Sequence, residues 1–197
     1  MKKSKLLRFV SVPTVAACCF LGQASFSPAH AQAVTDNRTQ TTENRGQLSS
    51  GDYKFAIAAY RANTSEINLG QLAAQKATDP AVRQFAQRMV TDHTRANQQL
   101  NQLLSQKGVT VPSETSSAEE REVDRLQKLS GVDFDKAYME HMVKDHKKDV
   151  KEFERAADKT TDTDLKAFAA NTLPILQDHL KMAQDLETTV KAEKRAS

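Results

Sequence analysis

Apolar side chains recur every three or four residues through most of this chain and almost nowhere alternate, the mark of amphipathic helices rather than strands. Over residues 52–76 the stripe is Phe55, Ala59, Ala62, Glu66, Leu69 and Ala73. Asp79-Pro80 then reads as an N-cap followed by proline at the first helical position, where a missing N–H is harmless. The second helix runs to 107, carries Val82, Phe85, Met89, His93, Ala96, Leu100 and Leu103, and is stopped by Gly108. Pro112 marks a loop over 109–117, and Ser117-Ala118-Glu119-Glu120 has the form of a capping box opening a short helix that ends near 129.

After the break at Ser130-Gly131 a third long helix is expected over 133–158, with Phe134, Tyr138, Met142, His146, Val150, Phe153 and Ala157 on its stripe. A turn at Thr160, Thr161 and Asp162 leads into a fourth, reaching about 191, with Leu165, Phe168, Thr172, Leu176, His179, Ala183, Leu186 and Val190. Pro174 lies inside it and predicts a kink, since it removes a backbone donor. Four long helices, with a short connecting helix between the second and third, predict an all-α, up-down four-helix bundle over 52–192, leaving 193–197 as a tail.

The first 51 residues follow other rules. Lys2, Lys3, Lys5 and Arg8 precede an apolar run over 9–22, and Ala29-His30-Ala31 offers small side chains around a cleavage point. This reads as a signal peptide over 1–31, with an apolar run too short to span a membrane. Val15-Ala16-Ala17-Cys18 offers an alternative processing site that would leave Cys18 as a lipid anchor. Cleavage near Ala31 removes both cysteines, so no disulfide or thiolate is expected in the mature chain. It also turns the formal charge of +3 into a slight negative balance, which removes any global basic field for nucleic acid. Residues 32–51, rich in Thr, Gln, Asn and Ser, read as a disordered tether.

The stripes carry the candidate chemistry. Each has one ionisable residue near its middle: Glu66, His93, His146 and His179. Counting from the turns at helical rise, Glu66 and His93 fall within roughly 4–5 Å in height, and His146 and His179 within roughly two turns. Around His93 and His146 one phrase occurs twice, Met89-Val90-Thr91-Asp92-His93 and Met142-Val143-Lys144-Asp145-His146, and a third Asp-His pair stands at Asp178-His179. One carboxylate and three imidazoles suit a single Zn²⁺, Cu²⁺ or Fe²⁺ ion. Met89 and Met142, one turn before their histidines, are weaker candidates that would tilt the preference toward copper. Asp92, Asp145 and Asp178 are rotated off the stripe, either to orient ring nitrogens on neighbouring helices or to face solvent. His141 lies off the main stripe. The competing reading is a polar network without a ligand, in which Glu66 satisfies one or two imidazoles and fixes register, with the methionines as packing.

Phe85-Ala-x-x-Met89-Val-x-Asp-His93, Leu129-Ser-Gly-x-x-Phe134-Asp-x-Ala-Tyr138, and Thr172-Leu-Pro174 followed by His179-Leu together resemble one bacterial exported family, domain of unknown function 4142. The likeness covers about 53–186. It implies a ferritin-like bundle in the periplasm or cell envelope, and it brings no established activity. The family is often labelled an outer-membrane protein, but the chain lacks the alternating strands of a barrel. A ferritin-type di-iron centre draws on Glu-x-x-His pairs. Here Val90, Val143 and Leu176 stand three residues before the histidines, so at most a mononuclear site is expected.

No Gly-x-Ser-x-Gly elbow and no phosphate loop is present. The expectation is an exported, non-enzymatic bundle of the periplasm, in a stress-associated role or docked to an envelope protein. The alternative is a mononuclear copper, zinc or iron protein built on the core cluster.

Overall fold

The computed structural model describes residues 46–111 and 117–196. The expected signal peptide, most of the tether and part of the loop after Gly108 lie outside them. Among the described residues five helices follow in order: α1 Ser50–Lys76, α2 Pro80–Gln106, α3 Ser117–Gln127, α4 Gly131–Lys159 and α5 Thr163–Ala196. The long helices pair as two hairpins, α1 with α2 and α4 with α5, which pack together as a four-helix bundle. No described helix is long and apolar enough to cross a membrane.

The expected elements differ from the observed ones mainly at their ends. α1 begins at Ser50, inside the stretch read as tether, because the Ser49 side chain accepts the Asp52 N–H and Leu48 is buried. α2 is capped as expected by the Asp79 side chain, which accepts from Ala81 and Val82, with Pro80 in the first turn. Gly108, at φ +71°, lets Val109 fold back and donate to the Leu104 carbonyl. α5 runs on through Pro174 and ends beyond the expected boundary.

Both turns are clamped by a buried aspartate from the opposite hairpin. Asp135 accepts from Thr78 N at 3.1 Å, Asp79 N at 2.9 Å and the Thr78 hydroxyl, tying the α1–α2 turn to α4. Asp52 accepts from Thr161 N at 3.2 Å, Asp162 N at 3.1 Å and the Thr161 hydroxyl, tying the α4–α5 turn to α1. The chain around the turns repeats accordingly: Thr78-Asp79, Val82, Phe85 and Ala86 match Thr161-Asp162, Leu165, Phe168 and Ala169.

These clamps set the helices in register, and the register divides the core. One apolar cluster gathers Leu69, Phe85, Met89, Phe134, Tyr138 and Met142 at the end nearer the α1–α2 turn. The other gathers Ala56, Leu100, Leu104, Phe153, Leu165 and Phe168 at the opposite end. Between them, at the middle of every long helix, lies a buried polar layer of Asn63, Glu66, His93, His146, Asp149 and His179. Gly70 lies just beside the layer. A Cβ there would come within 3.0 Å of the Ala86 carbonyl oxygen and the Val90 side chain, so the bare backbone sets how closely α1 and α2 approach.

Two expected stripes rotate slightly. On α1, Asn63 is buried while Phe55 and Ala62 are half-buried. On α4, Asp149 and Ala156 take the inward positions expected for Val150 and Ala157. The small residues of α1 permit the closest helix contact, so they, and not the largest apolar side chains, choose its inward face.

Candidate metal centre

Three imidazoles from three helices converge in the polar layer. The ring centroids of His93, His146 and His179 stand 5.7, 5.4 and 5.4 Å apart, nearly an equilateral triangle. One ligating nitrogen from each ring lies within 4.8 Å of those from the others, and all three side chains are buried. Tetrahedral ligation at Zn–N distances of about 2.0–2.1 Å needs N···N separations of roughly 3.4 Å, so each ring would move inward by less than about 1 Å.

Each ring has one nitrogen engaged on the outside, and the polarity of each bond is fixed. His146 Nδ1 lies 3.0 Å from the Met142 carbonyl, which can only accept, so Nδ1 carries the hydrogen. His179 Nε2 lies 3.0 Å from Asp92 Oδ2. Burial would raise the Asp92 carboxyl, but His179 and Arg88 outweigh it and hold it below the usual range, so it too accepts. His93 Nδ1 lies 2.9 Å from Asn63 Oδ1. Asn63 Nδ2 donates to Asn97 Oδ1, and Asn97 Nδ2 donates to the Tyr60 carbonyl. That chain ends on an obligate acceptor, which orients both amides and makes His93 Nδ1 a donor.

The nitrogens left over are His93 Nε2, His146 Nε2 and His179 Nδ1, and all three are buried without a hydrogen-bond partner among the described residues. A buried acceptor left unpaired costs about 1–3 kcal/mol. Held on one nitrogen and free on the other is the arrangement of metal-binding histidines.

Glu66 completes the layer. Its side chain is 1 % exposed. Its Oε2 lies 2.9 Å from His93 Nε2 and its Oε1 lies 3.3 Å from His146 Nδ1. Neither contact is aligned as a hydrogen bond, so the association is electrostatic. Burial alone would raise the Glu66 carboxyl, but the imidazoles of His146 and His93 hold it well below the usual carboxylate range. Burial would lower His93, and Glu66 overcomes it and raises the ring above its ordinary value. His179 is pushed down to about 4, by burial first and then by the other two rings, despite Asp92. At neutral pH its free nitrogen is therefore an open lone pair.

The expected site residues thus separate. His93, His146 and His179 meet as a triad, and Glu66 touches two of them without joining the triangle of nitrogens. Met89 and Met142 are fully buried one turn away, within the apolar cluster. Asp92 orients His179, as one of the two readings had it. Asp178 faces solvent, and Asp145 lies against His141. Asn63 and Asp149 were not anticipated. Asp149 is 5 % exposed, and burial, then the charge of Glu66, push its carboxyl up to about 8. Two clefts reach the layer from outside. One, of about 280 Å³, touches His93, His179 and Asp92, and the other, of about 490 Å³, touches Glu66 and Asp149.

The chain belongs to the family described as domain of unknown function DUF4142, whose family model matches residues 37–186. No functionally curated protein matches it in sequence. Among solved structures it is similar to a DUF305 fragment from Deinococcus radiodurans, at 13 % identity and a TM-score of 0.65, covering 72 % of this chain and 98 % of that one. A DUF305 protein from Streptomyces coelicolor, presumed secreted, matches at 16 % identity and a TM-score of 0.63, covering 72 % and 94 %. CopM in its Cu(II)-bound form matches at 14 % identity and a TM-score of 0.59, covering 70 % and 95 %. At these identities the likeness concerns the fold alone, and it supports the all-α helical bundle expected from the stripes.

Proposed function

We propose that this protein is an exported, non-enzymatic metal-binding bundle that holds one divalent transition-metal ion in its core, with copper ahead of zinc and iron. His93, His146 and His179 are its imidazole ligands and Glu66 supplies the fourth, anionic donor. The observation that carries this reading is three buried rings that bring one ligating nitrogen each within 4.8 Å of the others, each ring having one nitrogen whose hydrogen is committed and one without a hydrogen-bond partner among the described residues. Three imidazoles and a carboxylate favour ions at the copper end of the divalent series over hard cations. That CopM, a protein of similar fold, is known with Cu(II) bound agrees with copper. The leader-like first 31 residues and the presumed secretion of one fold neighbour agree with export to the periplasm. Glu66 is the buried carboxylate held ionised beside the histidines, whereas Asp149 is pushed toward its neutral form, and with no Glu-x-x-His pair this favours holding an ion over oxygen activation.

A second reading has its own observation. Glu66 stands between two imidazoles, 2.9 and 3.3 Å away, as a register-fixing polar network would place it.

Elemental analysis of the mature domain, isolated from periplasm without chelators, separates the two. Near-stoichiometric copper or zinc, lost when Glu66, His93, His146 and His179 are all changed to Ala, is the expected result. A domain that holds no metal, even after titration with Cu²⁺ and Zn²⁺, would leave the network alone and sink the metal reading.

A further inference from the structure

The cleft between α1 and α4 contains a second set of groups with ligating chemistry, outside the core triad. Glu122 from α3 and His141 and Asp145 from α4 line it, along with Ser65, and Glu66 and Asp149 form its inner wall. His141 Nδ1 faces Glu122 Oε1 at 3.2 Å, and Arg125 fixes that carboxylate with contacts of 2.6 and 3.0 Å. On the other side of the ring, Asp145 Oδ2 lies 2.9 Å from Nε2, yet Nε2 is buried without a hydrogen-bond partner. A neutral imidazole has one N–H, so with the hydrogen turned toward Glu122 it presents a lone pair beside the Asp145 carboxylate. A lone pair and a carboxylate one helical turn apart on one helix face form a two-point grip for a cation, with Glu122 orienting the ring from behind. Glu66, nearly fully buried and in charge contact with His93 and His146, lines the same cleft, and neither of its oxygens has a hydrogen-bond partner among the described residues. The cationic groups around the opening are Arg61, Lys144 and Lys148.

We propose that His141 and Asp145, oriented by Glu122, form a second and weaker divalent-cation site from which the ion passes through this cleft to Glu66 and the core. The route rests on the function proposed above; the outer site does not. The other cleft offers no such stage: its one carboxylate, Asp92, is committed to His179 and Arg88, with Arg95 3.9 Å from it.

The probe is Cu²⁺ alone, added to the metal-free mature domain, with equilibrium titration for stoichiometry and stopped-flow absorbance for the rate of filling. The wild type is expected to take a second, weaker equivalent. His141→Ala and the near-isosteric Asp145→Asn should lose it and fill the core about tenfold more slowly, since the ion is no longer held beside Glu66 before it enters. Retention of the second equivalent in both variants overturns the outer site, and its loss without any change in filling rate overturns the route. If copper binds the wild type only where Asp145→Asn abolishes it, the core reading fails while the outer site stands.

Discussion

Asp92→Asn isolates the orientation of one ligand from the ligand itself. Asp92 touches no free nitrogen of the triad; it holds His179 Nε2 at 3.0 Å and so turns Nδ1 inward. Its carboxylate is 18 % exposed and is shared with Arg88 at 3.3 Å. The amide keeps the shape and can still accept, but it loses the charge. A hydrogen bond to a charged group contributes about 1.5–3 kcal/mol and a neutral one about 0.5–1.5, so the change removes about 1–2 kcal/mol. Because the ring is more basic with the carboxylate behind it, most of that loss falls on the metal-bound state. Metal affinity should drop about 5–30-fold, at the lower end of the usual cost of losing such a partner.

Competition against a chromophoric chelator at pH 7, with Cu²⁺ and then Zn²⁺, reads the change directly. Asp178→Asn is the control, since that carboxylate is exposed, lies next to His179 in sequence and alters net charge identically. An Asp92→Asn affinity within about twofold of wild type would refute the assignment of His179 as a ligand presented through Nδ1, given the energies above. An equal drop in Asp178→Asn would refute the hydrogen bond as the cause and leave only long-range charge.

Three further outcomes follow from the same geometry. His179 should cost the metal-free domain on the order of 3 kcal/mol as pH falls from about 6.5 to about 4, because the unfolded chain protonates His179 while the folded one refuses the proton, and Asp149 acts with the opposite sign over the same range. His93, raised in the folded state, acts only above that window, so denaturant melts of wild type and His179→Leu between pH 4 and 6.5 should differ in slope, and parallel slopes would contradict the account. Asp149→Asn should stabilise the metal-free domain, most at pH 8 and least near pH 4, since a carboxyl raised to about 8 makes folding take up a proton over that range; an unchanged midpoint at pH 8 would show the carboxyl is not held protonated. Asp135→Ala, which strips two backbone donors of the α1–α2 turn of their acceptor, should cost about 2–4 kcal/mol, visible as a thermal midpoint roughly 5–15 °C lower.

What could be read from the chain was what helical periodicity encodes locally. The stripes placed Glu66, His93, His146 and His179 on inward faces, and all four are buried there. Asn63 was passed over because α1 carries two adjacent candidate faces, and the one with Phe55 and Ala62 looks the more apolar. Asp149 follows Lys147 and Lys148, a charged run of the kind that covers a solvated face, although Asp149 lies one turn beyond His146 on the buried side. The clamps at Asp52 and Asp135 act on turns remote in sequence, so only the folded chain reveals them. Asp92 could be narrowed to two roles but not assigned to His179, because the choice depends on how α2 and α5 are rotated against each other.

The most conspicuous repeat in the chain also relates the wrong pair of helices. Met-Val-x-Asp-His links α2 to α4, whereas the clamps and turns show α1 equivalent to α4 and α2 to α5. Under that equivalence Asn63 corresponds to His146, Glu66 to Asp149, His93 to Leu176 and Ala96 to His179. The scaffold is two-fold and the polar layer is not. A layer that only fixed register would be served by matched pairs, each imidazole facing a carboxylate and every ring nitrogen satisfied. Here His93 from one hairpin converges with His146 and His179 from the other. The position equivalent to His146 is occupied by the amide that holds His93 in its tautomer, and the two equivalent carboxyls are pushed in opposite directions, Glu66 charged and Asp149 held toward its neutral form. The asymmetry leaves three lone pairs unmatched and one anion beside them, an excess of donors that a cation satisfies and a second carboxylate would not.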